Sequence, residues 1–279
     1  MKEKSDVMQT EEQFQDWLTQ HFLEPKHWQQ QFKLAKKGIE QSVVVVALLY
    51  KEHQNFEQAN EWLNKAILLG NTEAMYELGN VYFEMEDEER AFEMYKKAAQ
   101  LGHPDAMNNL ADMYFNGEGT GHDERLALKW FTKAAESGVV EAMFTLGIMY
   151  EQGLGTEVDD QQALTFYEEA ARGGDVESLY RLGMIYFEGA LGQPQNREQA
   201  IYYFEQAAEH FHLDAFFNLG YISELEEGLM EKAVHYYKQA SLLGDLESTK
   251  KLVHYYEQTN DAQAQKWREK LTYLQQDGE

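Results

Sequence analysis

The chain has no cysteine among its 279 residues, which excludes a disulfide framework, a thiolate metal site and a cysteine nucleophile. It also lacks any apolar run approaching the ~18 residues that a membrane span requires, and no apolar stretch follows the opening Met1-Lys2-Glu3-Lys4-Ser5-Asp6. The expectation is a soluble cytoplasmic protein without membrane contact. Positive charge is the third scarcity. Lysine and arginine number 24 against 49 acidic residues, a net charge of −25. The deficit is local, because residues 73–231 carry 9 basic and 32 acidic side chains while the flanking segments are near balance. Such a field repels phosphate backbones, so no nucleic-acid ligand is expected. It draws in a cationic protein, with an on-rate that falls as salt rises; simple solubility is the competing explanation.

What is present is repetition. Alanine, three spacers, Leu-Gly, two spacers, tyrosine, a loop and a second helix ending Ala-Ala-x-x-Gly recur along the chain. The anchors Ala74, Ala106, Ala142, Ser178 and Ala215 are separated by 32, 36, 36 and 37 residues, with Ser42 and Ser248 in the outer copies. A period in this range marks a stack of supersecondary units, none able to bury its apolar face alone. In the clearest copy Met143, Leu146, Gly147 and Tyr150 fall at helical spacing, as do Ala163, Phe166, Tyr167, Ala170 and Ala171. Two antiparallel helices joined by Gly153-x-Gly155 are predicted.

Asn55, Asp87, Asp123, Asp159 and Asn196 stand where each second helix begins and can accept its orphan N–H groups, whereas Leu229 makes the weakest start. Gly70, Gly102, Gly138, Gly174 and Gly244 stand where a left-handed residue ends a helix. His210 or Phe211 replaces that glycine in the fifth copy, which predicts a less regular junction there. Gly79, Gly147, Gly183 and Gly220 are expected to face the second-helix alanines and let the axes approach closely.

These residues amount to a family resemblance. AMYELGNVYFEM, AMNNLADMYFNGEG, AMFTLGIMYEQGLG and SLYRLGMIYFEGALG, each followed by a helix such as ALKWFTKAAESG, resemble Sel1-like repeats, relatives of tetratricopeptide repeats, over about residues 39–272. The resemblance implies an all-α fold, a right-handed superhelical solenoid of helical hairpins acting as an adaptor for protein complexes. The expected organisation is an N-terminal polar segment with capping helices at 1–41, six repeats at 42–244, and a degenerate repeat with capping helices at 245–279. Residues 1–12 are polar and unpatterned, and mobility is expected of them.

By analogy with the tetratricopeptide relatives, the first helices line the concave side. Three rows then form the candidate partner-binding face. The first contains Tyr76, Phe144, Tyr180 and Phe217, the second Asp112, Ile148, Met184 and Tyr221, and the third Phe83, Phe115 and Phe187. Aromatic side chains in an acidic surround suit a peptide or helix with apolar anchors and Lys/Arg flanks. The first-row aromatics can instead pack on a neighbouring hairpin, while the third-row phenylalanines lie on the open side. Asn80, Lys51, Glu151 and Glu224 share these rows. The acids Glu73, Asp105, Glu141, Glu177, Asp214 and Glu247 fall in first turns, where they complement the helix dipole. The run Glu84-Met85-Glu86-Asp87-Glu88-Glu89 reads either as an electrostatic docking edge or as a solvated loop.

Enzyme signals are poor. Gly117-Glu118-Gly119-Thr120-Gly121 lacks the preceding strand and the Gly-Lys-Ser/Thr ending of a phosphate loop. His210, His212 and Asp214 beside an irregular turn read as structural, not as a metal site. The expectation is a non-catalytic protein that binds a basic protein or peptide, with no cofactor, no metal and, in the simplest case, a monomer. Neutralisation of a cationic toxin by a bacterial immunity protein is the narrower alternative. A hydrolase, suggested only by cysteine-rich secreted members of the family, is more remote.

Overall fold

The computed structural model describes residues 25–259 and 262–276, so the expectation for residues 1–12 lies outside the described residues. Among those described there are fifteen α-helices and no strand. They are α1 (Pro25–Lys36), α2 (Glu40–Glu52), α3 (Phe56–Leu68), α4 (Thr72–Glu84), α5 (Glu88–Gln100), α6 (Pro104–Asn116), α7 (Glu124–Glu136), α8 (Val140–Gln152), α9 (Asp160–Arg172), α10 (Val176–Glu188), α11 (Arg197–Glu209), α12 (Leu213–Glu224), α13 (Met230–Leu242), α14 (Leu246–Gln258) and α15 (Gln263–Gln276). The chain divides into two compact units, Met1–Ala142 with Leu154–Thr156, and Met143–Gly153 with Glu157–Glu279. From α1 to α7 in the first, and from α9 to α15 in the second, each helix packs against its neighbours in the chain. The fold class is an all-α solenoid of helical hairpins.

Hairpin packing follows from residue size. The second-helix alanines Ala66, Ala98, Ala134, Ala170, Ala207 and Ala240 are fully buried. The first-helix glycines, however, meet aromatic rings three residues before those alanines. A Cβ placed on Gly79, Gly147, Gly183 or Gly220 would lie 2.5–2.7 Å from Tyr95, Tyr167, Phe204 or Tyr237. Absence of a side chain there seats a large ring in the hairpin, and each buried ring contributes roughly 1.5–3 kcal/mol of apolar transfer.

One residue both ends a hairpin and starts the next. The backbone N–H of Asn71, His103, Asp175, His212 and Asp245 donates to the carbonyl of Ala66, Ala98, Ala170, Ala207 and Ala240, closing a Schellman motif. The same residue's side chain accepts the N–H of Ala74, Ala106, Ser178, Ala215 or Ser248, capping the following helix. The second-helix caps Asn55, Asp87, Asp123, Asp159 and Asn196 each accept an N–H three residues on, and Leu229 makes no side-chain cap. In the fifth copy Phe211 takes φ 62° and His212 still bonds Ala207 at 3.2 Å, so that junction keeps the regular geometry at the expense of a strained backbone.

The Gly-x-Gly loop is a stacking device. Gly155 has φ 68°, and a Cβ on it would fall 2.4 Å from the Glu124 carbonyl oxygen; its N–H donates to the Glu124 carboxylate at 2.8 Å. Gly119 meets Glu88 in the same way at 3.2 Å. Each loop thus lies on the N-terminus of the preceding second helix, where negative charge is favoured. At the two ends, Phe32 of α1 meets Tyr50 and Trp62 edge-on, and Leu252, Tyr256, Ala264 and Trp267 of α14 and α15 are buried.

Candidate functional site

The three rows separate into packing and exposed positions. Tyr76, Phe144, Tyr180 and Phe217 tilt against the seated rings of Tyr95, Tyr167, Phe204 and Tyr237, with centroids 5.8–6.0 Å apart. Tyr76 also stacks on His103 at 4.5 Å and Tyr180 on His212 at 4.4 Å. The first row is therefore largely engaged inside each unit. Ile148 and Met184 are half-buried, and both pack on the cores of the second unit. Phe115 is half-buried with its ring 6.3 Å from His122. Phe187 is half-buried between Phe204 and Tyr221, at 6.5 and 6.3 Å. Phe83, 46% exposed, and Tyr221, 37% exposed, are the open aromatics of the set.

Third-row acids are occupied by internal partners. Glu151 accepts the Tyr167 hydroxyl at 2.7 Å and pairs with Arg181. Glu224 accepts the Tyr237 hydroxyl at 2.5 Å and Lys251 at 2.8 Å. Burial would raise the Glu224 carboxyl, but the hydrogen bonds from Lys251 and Tyr237 outweigh it and hold the group below its usual range. In the acidic run, Asp87 caps α5 and pairs with Arg90, Glu88 takes the Gly119 N–H, and Glu84 lies 3.5 Å from Lys51. Much of that run is spent on local structure.

The first unit contains the site that differs. A groove of about 310 Å³ is lined by Lys51 of α2, Asn80, Phe83 and Glu84 of α4, Tyr95 of α5, Asn109, Asp112 and Met113 of α6, and Glu118 from the following loop. Tyr95, 3% exposed, donates its hydroxyl to Asn80 Oδ1 at 2.7 Å, and burial pushes its pKa upward. Lys51 bonds Glu77 at 2.8 Å. Asp112 accepts from Asn108 Nδ2 at 3.0 Å, and Asn108 Oδ1 is buried with no hydrogen-bond partner. Burial, reinforced by the nearby Glu118 charge and only partly offset by Asn108, pushes the Asp112 carboxyl up to about 6. Among the described residues no cationic side chain pairs with Asp112 or Glu118.

The groove thus unites Phe83 and Asp112, which the row pattern singles out, with Lys51, Asn80 and Glu84. Tyr95, Asn109, Met113 and Glu118 were not legible as site residues. Glu118 sits in a loop whose return path depends on the stacking of Gly119, and only the Gly-x-Gly spacing hints at it. Tyr76, Phe115, Phe144, Ile148, Tyr180, Met184, Phe187, Phe217 and Tyr221 do not line this groove. In the second unit Phe187 borders a different groove of about 380 Å³ with Glu188, Gln195, Arg197 and Leu225. His212 acts as a helix cap, and among the described residues no group of three or more His, Asp or Glu could hold a metal ion. No described helix is long and apolar enough to cross a membrane.

The Sel1 repeat profile matches residues 52–71, 104–139, 140–175, 176–210 and 214–245, and a tetratricopeptide repeat profile matches residues 72–101. No curated protein matches the sequence. Among solved structures, c5321, a protective antigen present in uropathogenic Escherichia coli strains displaying an SLR fold, is 30% identical with a TM-score of 0.77 over 87% of this chain. The present chain spans 56% of that protein's length. A Sel1 repeat protein from Oxalobacter formigenes is 29% identical with a TM-score of 0.69, over 82% of this chain and 99% of its own. The immunity protein Pa5087 from Pseudomonas aeruginosa is 24% identical over 74% of this chain and 80% of its own, and its TM-score of 0.44 is too low to support a functional comparison.

Proposed function

Starting from the fact that this chain belongs to the Sel1 repeat family, we propose that it is a protein-binding module, not an enzyme, and that its partner presents a basic segment to the first unit. The observation that carries this reading is the groove at Phe83. It combines an exposed aromatic, half-buried Asp112 and two further acids, and its one lysine is held by Glu77 and Glu84. Exposed aromatic surface supplies contact area at low entropic cost, and unpaired acids supply steering and selectivity. The excess of acidic residues over 73–231 extends the attraction beyond the groove.

A pair of baits tests the proposal. Wild-type protein and a Phe83→Ala/Asp112→Asn variant are immobilised, exposed to native cell extract at low salt and eluted with a salt step. Basic proteins that elute from the wild type and are depleted on the variant support the reading. Identical eluates from the two baits contradict it.

A further inference from the structure

The corner around Asp112 holds more hydrogen-bond acceptors than donors. Asp112 and Glu118 have no cationic partner among the described residues, and Asn108, having given its Nδ2 to Asp112, keeps Oδ1 buried and unbonded. Two other acids of the rows find their partners within the repeats. Glu151 has Arg181 and Tyr167, and Glu224 has Lys251 and Tyr237. The positions equivalent to Arg181 and Lys251, immediately before the Leu of the next repeat, hold neutral Asn109 in the groove, and Phe83 stands where Glu151 and Glu224 stand. In this repeat no cation stands at that position, and Asp112 is left without one.

We propose, building on the protein-binding reading above, that this groove is an arginine socket. It receives one arginine side chain of a protein partner, with the guanidinium at Asp112 and Glu118 and the aliphatic stem against Phe83. A guanidinium suits the corner better than an ammonium. Its five donors lie in a fixed plane that can serve several acceptors at once, and that plane stacks on aromatic faces. The volume, about 310 Å³, matches one long side chain with a neighbouring residue, and is too small for a whole helix. The exposure of Phe83 at 46% leaves the groove open on one side, which suits a side chain that arrives attached to a partner backbone. A bound guanidinium also reverses the electrostatic disadvantage that holds the Asp112 carboxyl high.

The test uses fluorescein-labelled Gly-Leu-Arg-Leu-Gly, the same peptide with neutral citrulline in place of arginine, and amidated arginine as an unlabelled competitor. Binding to the full chain is read by fluorescence anisotropy at low salt. The socket predicts that the arginine peptide binds about tenfold or more tightly than the citrulline peptide. Asp112→Asn and Glu118→Gln should each narrow that ratio, and Phe83→Ala should weaken both peptides. Thermal melting checks that each variant folds. Equal affinity for the two peptides, an arginine preference unchanged in both carboxylate variants, or no binding of either peptide to the wild type would overturn the socket. Amidated arginine competing at the peptide's own affinity would also overturn it, because the site would then recognise a free small molecule. The two-bait capture reads the broader protein-binding proposal independently, so basic proteins lost on the variant bait alongside equal peptide affinities would sink the arginine assignment alone.

Discussion

Phe204 of α11 fills the space that a Cβ on Gly183 of α10 would need, since an ideal Cβ there falls 2.5 Å from both Cδ1 and Cε1 of the ring. The ring is fully buried and cannot swing into solvent. Gly183→Leu is expected to overpack the hairpin and cost roughly 1–3 kcal/mol. Combining it with Phe204→Ala should cost less than the sum of the two single changes, because the second removes the obstruction created by the first. Urea unfolding of the four proteins measures the coupling. Strict additivity would mean that ring and glycine are not the contact that sets this packing.

His103 joins two repeats through three contacts. Its Nδ1 accepts the Ala106 N–H at 3.2 Å, its ring stacks on Tyr76, and its Nε2 lies 3.0 Å from a Glu73 carboxylate oxygen. His103→Ala should cost about 1 kcal/mol from the lost cap alone, with the ring contacts in addition. His103→Asn should restore the cap and not the stack, and so fall between wild type and His103→Ala in denaturant midpoint. An asparagine variant as weak as the alanine variant would indicate that the cap contributes little.

Asp112 gives a pH dependence of unusual sign. Its folded-state pKa, raised from 3.8 to about 6 chiefly by burial, means that the folded protein binds the proton more tightly than the unfolded chain. Its contribution therefore favours folding below about 4 and is lost as pH rises through about 6. Asp112→Asn should consequently stabilise the protein at neutral pH, by roughly 1–3 kcal/mol, and its advantage over wild type should shrink on acidification. Denaturant melts at a series of pH values check this. A variant less stable than wild type at neutral pH would show that the carboxylate is satisfied in the fold.

Glycines at positive φ should not respond alike to alanine. Gly174, at φ 94°, has nothing within 4 Å of its Cβ position, whereas Gly155 faces the Glu124 carbonyl oxygen at 2.4 Å. Gly174→Ala should cost only the backbone preference, about 1–2 kcal/mol, and Gly155→Ala should cost more because the loop must also lift from α7. Equal costs would argue that the loop does not bear on that helix.

The hairpins were legible because their determinants are local. Anchor spacing, second-helix caps such as Asp123 and Asp159, and the C-terminal glycines all act within a few residues of where they stand. The first-helix caps are less legible: Asn71, Asp175 and Asp245 each follow one of those glycines, but His103 and His212 conceal the pattern because histidine is an uncommon cap. The row spacing fixes positions on the first helices and leaves open which of those side chains face water. Whether Tyr180 or Phe83 faces water depends on the Phe204 and Tyr95 rings and on the next repeat, which lie 12 to 38 residues away along the chain. For the same reason Glu151 and Asp112, both acids of the rows, have opposite fates: Arg181 neutralises the first, and nothing on a neighbouring helix neutralises the second.

The central claim is that Asp112 is kept at a cost to folding because it binds a partner's positive charge. The most direct test is the affinity of folded Asp112→Asn for the arginine peptide at neutral pH, beside wild type in the same buffer. The account predicts a weaker complex from the more stable protein. A variant that binds the peptide as tightly as wild type would contradict it.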